Sequence, residues 1–233
     1  MFPDDLFAGG LHNTNRPEEI IVKPGARTAP KESIRFSVIG LNHGHIYGMV
    51  DSLIGGGGIL VAVYSREAEL LPGFTRRYPK VKIAKSEDEI IDDNSIQLVA
   101  SAGIPVDRAP LGIRVMKSGK DYLADKPGIV TFEQFEAVKK IQKETKRIYS
   151  IMYSERLGNR ASVQAGELVQ AEAIGKVVQT IGMGPHRMNP QSRPDWFFEP
   201  EKAGGILCDI GSINAISFYF IQAPKRPKLV IRR

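Results

Sequence analysis

Apolar residues in this chain come in short runs separated by Gly- and charge-rich segments, and one long helical periodicity stands out among them. Ile34-Arg35-Phe36-Ser37-Val38-Ile39 ends at Gly40 and reads as a strand, followed by a Gly/Asn/His turn and a helix expected through Val50. Ile59 to Tyr64 predicts a second strand, bounded by four glycines before it and charge after it. Glu67 to Arg77 predicts a helix that Pro72-Gly73 should interrupt. A small acidic helix over Glu87 to Asp92 leads into a third strong strand, Ile96 to Ser101. Arg108 to Lys117 reads as helix and Asp121 to Ala124 as strand. Thr131 with Gln134 then forms a capping box, and Phe132, Phe135, Val138 and Ile141 recur at about one helical turn. Ile148 to Met152 is a further strand.

Strands alternating with helices mean βαβ units, so Ile34 to Met152 predicts five or six strands in an α/β fold: a Rossmann-like doubly wound parallel sheet. Residues 1–33 read as an irregular arm with one β-like run, Glu19 to Val22. After Tyr153 the alternation stops. Asn159 to Ala171 predicts a helix, Lys176 to Gly182 a strand, Met183 to Glu201 a Pro-rich loop, and Ile206 to Ile221 an apolar helix.

At 233 residues and 42% hydrophobic, the chain has enough apolar surface for a core. Its single cysteine, Cys208, excludes an internal disulfide framework and a thiolate cluster. The four histidines, His12, His43, His45 and His186, lack HxxxH spacing, so no metal site is expected. The longest apolar stretch, Ile54 to Tyr64, is far below the roughly 20 residues that span a bilayer, and no membrane association is expected. Met1-Phe2-Pro3-Asp4-Asp5 lacks a secretory pattern, which leaves a cytoplasmic location as the expectation. The net charge of +6 resides in the last nine residues, whose five basic side chains leave +1 on the rest, so nucleic acid is not an expected partner.

Open α/β sheets bind dinucleotides at the first strand–turn–helix. Here that turn reads Gly40-Leu41-Asn42-His43-Gly44-His45, with Asn42 and His45 where the G-x-G-x-x-G fingerprint has glycine. Asn tolerates left-handed backbone, so Gly40, Asn42, His43 and Gly44 are the expected cofactor-binding turn. A bare Gly-rich turn is also simply a turn; its place at the first crossover is what favours a nucleotide. At the end of the second strand, Tyr64-Ser65-Arg66 takes the place of the acidic residue that binds the ribose of NAD. Ser65 and Arg66 suit a 2′-phosphate, which tilts the expectation to NADP with NAD as the alternative.

Gly119-Lys120-Asp121-Tyr122-Leu123-Ala124-Asp125-Lys126-Pro127 resembles the strand-end G-K-x-x-x-x-E-K-P motif of the glucose–fructose oxidoreductase and inositol dehydrogenase (Gfo/Idh/MocA) family, with Asp125 for Glu. Gly204-Gly205-Ile206-Leu207-Cys208-Asp209-Ile210-Gly211-Ser212 resembles the family's G-G-x-x-x-D-x-G-x-H segment, and Glu155-Arg156, Gly184-Pro185-His186-Arg187 and Arg193-Pro194-Asp195-Trp196-Phe197-Phe198 are similar to one branch of it. The resemblance implies an NAD(P)-binding domain over 34–153 and a partial substrate and oligomerisation domain over 154–222, with 223–233 as a basic tail. It implies hydride transfer between nicotinamide and a sugar-like or cyclitol hydroxyl or carbonyl, with Lys126 at the reacting oxygen and also against the cofactor, and Asp209 in the same site. Two departures bear on catalysis. Ile213 stands where the family has its His base, which leaves His186 as the candidate proton carrier, and Gly103-Ile104 and Arg108 replace Thr-Pro and His. A Rossmann-fold protein that binds NAD(P) without turnover is therefore the alternative. Most of the family's C-terminal sheet has no counterpart before Arg233, so a truncated second domain and impaired homo-oligomerisation are expected.

Overall fold

The computed structural model describes residues 33–182 and 186–222. Six strands form one all-parallel sheet: β1 (Arg35–Ile39), β2 (Ile59–Tyr64), β3 (Lys82–Ile83), β4 (Leu98–Ser101), β5 (Asp121–Asp125) and β6 (Tyr149–Met152), in the order β3-β2-β1-β4-β5-β6. That order reverses between β1 and β4, the point where doubly wound sheets open a ligand crevice. Between the strands run α1 (His45–Gly55), α2 (Leu71–Arg77), α3 (Glu87–Ile91), α4 (Pro105–Lys117) and α5 (Phe132–Thr145). After β6 come α6 (Ser154–Leu157), α7 (Arg160–Gln170), α8 (Pro200–Ala203), a π-helical turn over Leu207–Gly211, and α9 (Ser212–Gln222).

Alternation along the strands puts apolar side chains on both faces of the sheet. Phe36, Val38 and Val63 pack with Ile46, Met49 and Val50 of α1 and Phe74 of α2 on one side. Ile39, Ala62 and Val99 pack with Ile90 and Ile91 of α3 and Val115 of α4 on the other.

Several expectations shift. Pro72 does not interrupt its helix but starts it: a 3-10 turn, Ala68–Leu70, precedes α2, and Pro in the first turn lacks only an N–H that would be unpaired anyway. The Thr131 cap forms as expected, with Oγ1 accepting from the Gln134 N–H at 3.2 Å, while the Gln134 side chain accepts from Val130 rather than returning to Thr131. Of the four apolar residues at helical spacing in α5, Val138 and Ile141 are buried whereas Phe132 and Phe135 are exposed. Lys176 to Gly182 is not a strand. No strand lies beside it to pair with among the described residues, and Val178 and Ile181 are exposed. The expected loop from 183 to 201 carries 3-10 turns at Pro190–Ser192 and Asp195–Phe198, and Pro200 opens α8. The expected apolar helix over Ile206 to Ile221 forms, with a wider π turn over Leu207–Gly211 leading directly into α9. The β-like run Glu19 to Val22 and the basic tail lie outside the described residues.

Candidate active site at the carboxyl edge of the sheet

The turn after β1 is shaped by two glycines on facing loops. Gly40 has φ +88°, donates its N–H to the Tyr64 carbonyl at 2.9 Å, and lies so near Gly103 that a Cβ on Gly40 would come within 2.8 Å of the Gly103 Cα. The expected consequence of Gly40→Ala is therefore a loss of about 1–3 kcal/mol from backbone strain, with the contact to Gly103 adding to it. Urea unfolding of the two proteins measures it. His43 ties the same turn to the β4 loop by donating its N–H to Ala102 at 3.0 Å, and Gly44 leads into α1 with open space where a side chain would be. Gly40 and Asn42 border a cleft with Tyr64, Arg66, Glu67 and Gly103. Ser65 is buried, and its hydroxyl donates to Glu67 at 3.1 Å. Arg66 is exposed and paired with Glu87 at 3.0 Å and Asp107 at 3.6 Å. The charge of Glu87 is the largest factor raising the Arg66 pKa. A 2′-phosphate at Arg66 would have to compete with both carboxylates.

At the end of β5, Asp125 gathers three cationic or imidazole groups that are distant in sequence. Its Oδ2 lies 2.6 Å from His43 Nδ1 and 3.4 Å from Arg108 Nη2, and its Oδ1 lies 3.0 Å from His45 Nδ1 and accepts from the Lys126 N–H at 2.8 Å. Burial pushes the Asp125 carboxyl up, but the bonds from His43 and His45 and the Arg108 charge outweigh it and hold the group well below the ordinary carboxylate range. The ligand atoms of His43, His45 and Asp125 lie within 4.8 Å of one another, close enough for a metal ion, although the Arg108 guanidinium beside the shared carboxylate opposes a second cation. Histidine spacing could not reveal this group, because its carboxylate lies about eighty residues downstream.

Arg108, in sequence only a departure from the family pattern, is 1% exposed. Its Nε donates to the Gly103 carbonyl at 2.8 Å, and its Nη1 to the carbonyls of Asp125, Lys126 and Pro127 at 3.1, 2.8 and 3.1 Å. One guanidinium thus staples the β4 loop to the peptide that carries Lys126. The signal that could have found it is helical spacing. Pro105, Arg108, Ala109, Gly112, Val115 and Met116 form the buried stripe of α4, and Arg108 sits on it.

Lys126 itself is 6% exposed, and its Nζ donates to Asp209 Oδ1 at 2.6 Å. Asp209 is presented by the π turn, a wide turn that recurs at functional sites. The two residues border a cleft of about 250 Å³ with His43, His186, Trp196, Phe197 and Arg193. The structure therefore brings Lys126, Asp209, His186 and His43 to one cavity, and Gly40, Asn42 and Arg66 to the adjoining cleft. Ser65 is turned to Glu67 instead. Ile213, one turn beyond Asp209, is buried and has no group able to exchange a proton.

The chain is similar to a candidate oxidoreductase of Erwinia carotovora atroseptica solved by crystallography. The two share 43% identity and a TM-score of 0.79 over 82% of this chain and 57% of that one. Levoglucosan dehydrogenase in complex with NADH and levoglucosan gives 20% identity and a TM-score of 0.67 over 82% of this chain and 54% of that one, a likeness of fold. Among curated proteins, an uncharacterized oxidoreductase of Schizosaccharomyces pombe is 22% identical over 135 residues, 58% of this chain and 36% of that protein. No family model matches. These three proteins are oxidoreductases by name, this chain shares its Rossmann-like fold with the two solved ones, and it spans a little over half of each of those and about a third of the curated one.

Proposed function

We propose that this chain is an NAD(P)-dependent oxidoreductase that moves a hydride between nicotinamide and a hydroxyl- or carbonyl-bearing carbon of a sugar-like or cyclitol molecule. The observation that carries the reading is the pair of buried Lys126 and half-buried Asp209, set at a strand's carboxyl end in a cleft next to the turn at the sheet's switch point. NADH and levoglucosan bound to a neighbour of the same fold support the cofactor and substrate classes. The residues fit a dinucleotide: Gly40 and Gly103 let two loops close on each other, and Gly44 leaves open space at the start of α1. When bound, the nicotinamide supplies the hydride donor or acceptor.

The Lys126 ammonium donates to the reacting oxygen and stabilises negative charge that develops on it. Asp209 keeps that ammonium oriented. Two imidazoles border the cleft to exchange the proton. His186 is the one expected from sequence; His43 has its Nδ1 held by Asp125, so its Nε2 is the nitrogen left to take up a proton. Arg66 supports NADP and the acidic Glu67, Glu87 and Asp107 around it support NAD, so NAD(P) is the reading retained. Binding without turnover is the second reading, favoured by Ile213 in place of the family's base.

Titration with NADH and NADPH tests the reading. The expected result is quenching of Trp196 emission and a raised melting temperature with at least one, followed by absorbance change at the reduced-nicotinamide band on adding a polyol panel. Binding without that change selects the second reading; no binding in folded protein ends both.

A further inference from the structure

The cleft is unbalanced in charge. Arg108, Lys126, Arg187 and Arg193 line it, against one acidic side chain, Asp209. Two of those cations are already answered, Arg108 by Asp125 at 3.4 Å and Lys126 by Asp209 at 2.6 Å. Arg187 and Arg193 are not, since neither forms an ion pair with an acidic group among the described residues.

Arg193 is also held in place. Its Nε donates to the Met188 carbonyl at 3.1 Å, and its guanidinium carbon lies 4.6 Å from the centre of the Phe197 ring. These two contacts fix the plane of the side chain and use only the inner nitrogen, so the outer fork stays available. A planar fork of N–H donors, pre-oriented beside an aromatic wall, matches a carboxylate or phosphate in two parallel hydrogen bonds. A neutral polyol offers nothing that needs a second unpaired cation there.

We infer that the cleft takes an anionic polyol: a sugar-like molecule whose carboxylate or phosphate lies on Arg193, with Arg187 adding charge at the rim, and whose reacting carbon lies at Lys126. The assignment deepens the proposed oxidoreductase reading and rests on it for the reaction, but the anion preference is a property of binding alone. A volume of about 250 Å³ lies just under the usual range for small-molecule pockets, about 300–1,000 Å³, which fits a monosaccharide acid better than a long chain.

Calorimetric titration of the full chain with D-glucuronate, D-glucose 6-phosphate and D-glucose separates the cases. At least one anion is expected to bind about ten- to a hundredfold more tightly than glucose, the size of effect that a charge-assisted hydrogen bond supplies. Arg193→Met should remove most of that advantage and leave glucose unchanged; Arg187→Met, at an exposed position, should reduce it without any effect on folding. Tighter binding of the glucuronate alone identifies a carboxylate site, and of the phosphate alone a phosphate site. Equal affinity for all three, no binding by any, or an equal loss for all three in both variants overturns the inference. If the anion preference holds while neither reduced dinucleotide binds, the oxidoreductase reading falls instead.

Discussion

Lys126→Ala is expected to lower kcat for any cofactor-linked turnover by about 10²–10⁴-fold, the range seen when a positioned donor or proton-transfer group is removed. The dinucleotide dissociation constant should change far less, because Gly40, Asn42 and Gly44 lie on a different loop. Lys126→Arg should not restore the rate: the guanidinium keeps the charge but does not release a proton, and its planar fork does not fit where a single ammonium reaches Asp209 at 2.6 Å. Adding Asp209→Ala to Lys126→Ala should cost little more than Lys126→Ala alone, because the carboxylate acts through the ammonium. Steady-state assays at the reduced-nicotinamide band check each comparison, and undiminished turnover in Lys126→Ala removes this residue from the chemistry.

Arg108→Met should destabilise the protein by about 3–5 kcal/mol, the cost of removing one partner from a buried ion pair. Arg108 and Asp125 are each 1% exposed, so the remaining carboxylate cannot recover its hydration. Four backbone carbonyls lose their donor in the same substitution. Arg108→Lys should recover only part of the loss, since an ammonium retains the charge and cannot span Gly103 and the Lys126 peptide together. Urea unfolding followed by circular dichroism measures both variants. A midpoint for Arg108→Met equal to that of the unaltered protein would show that the staple contributes nothing.

The sheet was legible in sequence where strands are apolar and long enough. β1, β2 and β4 through β6 all lie in runs that alternate or are wholly hydrophobic, and their order in the chain with helices between them specifies a parallel sheet. β3 was not legible. It has two residues, Lys82 and Ile83, both exposed at the sheet edge, and pairs only with β2, so no local pattern announces it. Lys176 to Gly182 failed in the opposite way, because a β-like composition with no neighbouring strand among the described residues has no ladder to join. In the candidate site, resemblance to ordered motifs singled out Lys126 and Asp209, which meet across 83 residues. The Asp125 cluster escaped because its bonds link the end of β5 to the turn before α1 and to α4, segments apart in sequence. The one local hint was a carboxylate at the inward end of a strand whose neighbours are Leu123 and Ala124, a place where an acid survives only with partners.

The Lys126–Asp209 contact joins the residue that follows β5 to a wide turn that belongs to the segment after β6. Assembly of the proposed reactive centre and seating of that segment are consequently one equilibrium. On the proposed reading, any event that lifts the turn away, whether heat, proteolysis or a substitution remote from the cleft, would silence the lysine without touching it.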